Sequence, residues 1–212
     1  MSAILAPFGL APVMHPSGIV RPAPSGQGQP YGGFSIAAAY ANNIFLNSPV
    51  QIDSTTPSGN LVLATGQQTA GAVTAAGRIL GSFQGCEFTL TATGRRTVSN
   101  YWPASTVATT VVAWATRDPW LIYEIQANGP VAATLLGAQG TLTTNGSANG
   151  NTTTGFSTVA FDTVTIGPSQ ASTNQLRIVG FSQSILNAPG DAFTIVQVQI
   201  STHQDVANQT AY

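Results

Sequence analysis

Residues 79–105 read ILGSFQGCEFTLTATGRRTVSNYWPAS, and the first half alternates. Cys86, Phe88 and Leu90 fall on one side of an extended chain, with Glu87, Thr89 and Thr91 on the other. A period of two is what a half-buried strand requires. Thr93, Gly94 and Arg95 supply a turn, and residues 98–102 are expected to run back as the partner strand. Pro103 ends the hairpin, because proline donates nothing to a ladder and restricts the residue before it. The stretch holding the lone cysteine and the paired arginines therefore predicts a β-hairpin. Cys86 is expected to face inward, as free cysteines generally do.

The same signature recurs along the chain. Residues 120–126 (WLIYEIQ) place Leu121, Tyr123 and Ile125 on one face, and residues 193–201 (FTIVQVQIS) place Val196, Val198 and Ile200 on one face. Residues 48–53, 61–63, 107–115, 158–166 and 176–181 add short strands, separated by turns such as Asn128-Gly129-Pro130. Residues 34–46 are ambiguous, since their alanines permit a short helix while Ile36, Ile44 and Phe45 suit extended chain. About nine or ten strands and hardly any amphipathic helix predict an all-β fold, a barrel or sandwich of short antiparallel strands.

Two stretches differ from this pattern. Residues 1–33 contain six of the thirteen prolines and predict an extended Pro-rich N-terminal arm on a β-rich body of residues 34–212. Phe8, Leu10, Val13, Met14, Ile19, Arg21 and Tyr31 are its candidate partner-contacting residues, a disordered leader being the other reading. Arg95 and Arg96 at the hairpin turn are added as candidates, with a simply solvated turn as the alternative. Residues 138–155 (AQGTLTTNGSANGNTTTG) are low in complexity and predict a long exposed loop, the best candidate boundary within the body.

Composition narrows the function classes. A chain of 212 residues with 43% hydrophobic content has the material for a proper core. Only 6% of residues are charged, against about 25% in typical domains. A surface so poor in charge resists association weakly, which suits contact with other protein. No apolar run approaches the roughly 20 residues of a spanning helix, so no membrane partner is expected. Net charge of −1 without a basic footprint argues against nucleic acid. One cysteine forms no intrachain disulfide, and residues 4–10, broken by Pro7 and Gly9, do not read as a signal peptide.

Catalytic groups are not apparent. Cys86 would need a base or cation beside it, yet His15 and His203 lie in the two terminal segments, and no metal-ligand spacing joins them. Glu87 and Glu124 are a conceivable glycosidase pair, but on outward strand positions they suit solvent or Arg95, Arg96 or Arg117 better. No nucleophile elbow, phosphate loop or dinucleotide fingerprint is present. Trp102, Trp114 and Trp120 read as core or interface, with a sugar-binding face as the alternative. An enzyme is not expected, nor a cofactor, a metal or a small-molecule substrate.

Five segments together carry a resemblance: PFGLAPVMHPSG (7–18), ILGSFQGCEFT and SNYWPAS (within 79–105), DPWLIYEIQANG (118–129), LRIVGFS (176–182) and GDAFTIVQVQISTH (190–203). They resemble the cement, or head-decoration, proteins of tailed phages, of the type known from cyanophages and other aquatic phages. The resemblance implies a structural virion protein on the outer surface of the capsid. It would bind the major capsid protein, associate with itself as a homotrimer and brace the joints between capsomers. The rival expectation is a tail or fibre adhesin module binding host-surface glycans.

Overall fold

The structure, a computed structural model, describes residues 4–16, 34–53, 59–64, 77–143, 148–167 and 174–206. Among the described residues, eleven strands form two antiparallel sheets packed together: β1 (Ala11–Met14), β2 (Pro49–Ile52), β3 (Leu61–Leu63), β4 (Gly81–Leu90), β5 (Arg96–Ser99), β6 (Ala108–Ala115), β7 (Ile122–Gln126), β8 (Gln139–Leu142), β9 (Phe161–Gly167), β10 (Leu176–Phe181) and β11 (Ile195–Ile200). The expected all-β fold is what the chain adopts.

The five-stranded sheet is built on β4. It pairs with β2 at Gly81 and Ser82, with β5 from Cys86 to Thr89, and with β6 from Phe83 to Leu90. The hairpin turn falls at residues 91–95 as expected, while Trp102 pairs with Ile44 instead of extending β5. Phe34 exchanges two backbone hydrogen bonds with Ala113 of β6, and Ser35 accepts one from Leu61 of β3. These links carry the ladder from β6 through β3 and β2 back to β4. The sheet thereby curls around a core of Ile44, Val50, Leu61, Phe83, Cys86, Phe88 and Trp102. Residues 34–46 pair as isolated bridges at both ends around a turn at Ala38 and Ala39, and the short-helix alternative is not what forms.

The six-stranded sheet has the order β1-β7-β11-β10-β8-β9. It curls too, because Ala127 just past β7 bridges Phe161 of β9, and Asn128 N–H donates to the Phe161 carbonyl. This bridge ties β9 back to the end of β7, while β1 stays at the outside of the sheet. Its core holds Tyr123, Ile125, Leu142, Phe161, Leu176, Ile178, Val196 and Val198, the inward set the alternating pattern predicts for β7 and β11. Each fully buried aliphatic or aromatic side chain contributes roughly 1.5–3 kcal/mol.

One expectation is corrected. The polar stretch 138–155 is not one long exposed loop, because β8 lies within it between β10 and β9. Thr141 N–H and Oγ1 both donate to Thr165 Oγ1. Gly140 sits where a Cβ would come within 2.6 Å of the Phe161 ring. The chain passes from the six-stranded to the five-stranded sheet between Met14 and Pro49 and returns between Ala115 and Ile122. Within the expected N-terminal arm, residues 4–16 run against the body, where β1 pairs with β7 and Leu10 joins the core of the six-stranded sheet, and residues 17–33 lie outside the described residues.

The sheets meet along a polar seam. Thr116 Oγ1 lies 2.8 Å from the Tyr123 hydroxyl and accepts from Ser82 N–H at 2.7 Å. Ile79 and His203 form a parallel bridge, and the Gln204 side chain bonds both backbone groups of Ile52. Leu46 bonds the backbone of Gly155 and of Ser157.

Candidate functional site

The segment PFGLAP is held into the body by Asn47. Its carbonyl accepts from Leu10 N–H at 2.8 Å and its side-chain amide donates to the Phe8 carbonyl at 3.2 Å. Gly9, at φ +78°, lies flat against the Asn47 carbonyl with no room for a Cβ. Leu10 is 0% exposed, so it fills the chain's own core and is withdrawn from partner contact. Phe8 and Val13 are half-buried, and Met14 is exposed. Ile19, Arg21 and Tyr31 lie outside the described residues. On either side of residues 17–33, His15 sits 3.5 Å from Asp118 and the Phe34 ring lies under the Arg117 guanidinium.

Arg95 and Arg96 are both exposed at the hairpin turn. Arg96 pairs with Glu87 across the β4–β5 ladder, and that hydrogen bond holds the Glu87 carboxyl below the usual carboxylate range. An exposed pair of this kind adds little to stability. Glu124 accepts from Gln197 at 3.2 Å on the other sheet, so the two glutamates do not face each other.

Cys86 is fully buried, its Sγ 3.6 Å from the Tyr101 carbonyl, and burial pushes its thiol up to about 12. A thiol held protonated in a core is not a nucleophile. Among the described residues, no group of three or more His, Cys, Asp or Glu is arranged to hold a metal ion. Trp102 is 0% exposed and packs edge-on against Phe88, whereas Trp120 is 56% exposed, so the three tryptophans do not form one platform.

No family model, curated protein or solved structure matches this chain.

What distinguishes the surface is one end of the six-stranded sheet. Three segments meet there. Residues 4–6 are clasped by Gln126, which accepts from Ala6 N–H and donates to the Ile4 carbonyl. Gln126 in turn pairs with Ile195, the first residue of β11. The connection 182–194 is tied to the segment after β7 by Gly190 N–H to the Val131 carbonyl and by Val131 N–H to Thr194 Oγ1. On these three segments Ile4 (75%), Leu5, Leu136, Ile185 (97%) and Leu186 stand exposed. Val98, Val107, Trp120 and Val164 are exposed elsewhere, but these three segments are tied to one another by hydrogen bonds, which makes their apolar side chains the candidate interaction surface. The sequence hid this cluster, because its members come from three distant stretches without any periodic pattern.

Proposed function

We propose that this chain is a structural, non-catalytic virion protein that binds the outside of a phage capsid and braces the joints between capsomers as a homotrimer. The observation that carries the reading is the apolar end formed by Ile4, Leu5, Leu136, Ile185 and Leu186. A covering protein would remove these side chains from water, which favours association. The segment resemblances and the 6% charge point the same way. A trimer engaging several capsid subunits at once converts weak single contacts into firm attachment through avidity.

The test is binding to purified expanded heads. Deleting residues 1–33 is the wrong variant, since it removes β1 and Leu10 and so attacks the fold. Ile185→Ser with Leu186→Ser leaves both cores intact. The double variant is expected to remain folded and trimeric by light scattering while losing most head binding. Undiminished binding would place the capsid contact elsewhere.

A further inference from the structure

Both histidines of the chain, at opposite ends of the sequence, come to one charged cluster on the seam. His15 faces Asp118, Arg117 pairs with Asp205, and the His203 ring lies behind them, buried. His203 belongs to a turn that crosses from β11 to the other sheet. Ile79 N–H donates to the Thr202 carbonyl, Gln204 N–H to the Ile79 carbonyl, and the Gln204 side chain grips Ile52. Within that turn, His203 Nδ1 accepts from Asp205 N–H at 3.1 Å. An imidazole nitrogen that accepts carries no proton, so the ring is neutral with its hydrogen on Nε2. Nε2 is buried and has no hydrogen-bond partner among the described residues.

We propose that His203 is an acid-operated latch: its neutral ring holds residues 201–206 across the seam, and protonation releases them. Adding a proton at Nδ1 turns an acceptor into a donor facing the Asp205 N–H. That bond is lost, and with it the turn that carries Asp205 to Arg117 and Gln204 to Ile52. Burial opposes the charged ring and holds its affinity for protons below the ordinary value of 6.5. Asp205 and Asp118 favour the charge and Arg117 opposes it. The Leu80 backbone also favours it but completes no hydrogen bond with Nε2. The other charges on the packed elements are Arg78 beside Ile79 and Asp53 beside Ile52. The released form takes up a proton near 6.5 and the latched form resists it, so latching is complete above that value and fails progressively below it.

Amide hydrogen exchange on the full chain tests the latch independently of capsid binding. Between pH 7.5 and 5, after correction for intrinsic rates, protection at Ile79, Gln204 and Asp205 is expected to fall relative to β11, by up to about tenfold per pH unit. His15→Gln should leave that loss unchanged and His203→Gln should abolish it. Protection at those amides that keeps pace with β11 down to pH 5 would overturn the proposal, as would an acid loss that survives in His203→Gln. If His203→Gln does not fold, the His203 ring signal in the unaltered chain decides. Ring titration must coincide with the loss of protection, and a ring that charges while the amides stay protected refutes the latch.

Discussion

Thr110 sits in β6 at φ +52°, where a branched L side chain crowds the backbone. The ladder explains the position. Glu87 pairs with Val112 and Thr89 with Thr109, which leaves Thr110 and Val111 opposite Phe88 alone, a β-bulge. Thr110→Gly is expected to raise stability by about 1 kcal/mol in urea unfolding, and a loss would mean the threonine side chain offsets its own strain. Cys86 makes a second prediction at this scale. Its thiol is raised from the ordinary 9.0 to about 12, so its contribution is complete below pH 9 and is lost as pH climbs toward 12. The unfolded chain releases that proton while the native chain keeps it, for up to about 1.4 kcal/mol per pH unit. The buried Tyr123 hydroxyl is raised as well, from 10.0, so the window between pH 9 and 10 isolates the cysteine. Cys86→Ala should flatten stability against pH in that window, and an unchanged slope would show that Cys86 ionises freely in the native chain.

Strands differ in how plainly the sequence announced them. β4, β7 and β11 alternate between an apolar core face and a polar face, and the predicted inward residues are buried except Leu90, which is half-buried at the end of β4. β8 could not be read that way, because GlnGlyThrLeu offers one large apolar side chain. Its place depends on Gly140 lying against Phe161 and on Thr141 bonding Thr165, partners more than twenty residues away. β1 was hidden by Pro12, which argues against a central strand. It is tolerated because β1 is the outermost strand of its sheet. The apolar residues of this segment therefore divide between roles, Leu10 inward and Met14 outward. Leu10→Ala is expected to cost about 2–5 kcal/mol in denaturant unfolding. A loss below about 1 kcal/mol would mean that the N-terminal segment is only loosely docked.

At the scale of the molecule, two closed cores share one polar seam, and the chain crosses it repeatedly. The histidines illustrate the limit of reading by spacing, since His15 and His203 come to one neighbourhood only because β1 and the turn after β11 both return to the link between β6 and β7. The apolar end is legible only in three dimensions for the same reason. With charge so scarce, the exposed side chains at that end are the ones we propose to meet a capsid. Localisation in purified phage particles, by antibody labelling and cross-linking with mass spectrometry, tests that assignment most directly. If the proposed function is right, the chain lies on the outside of the head, cross-linked to the major capsid protein through residues near Ile185 and Leu186. Finding it on the tail, or in no particle at all, would contradict it.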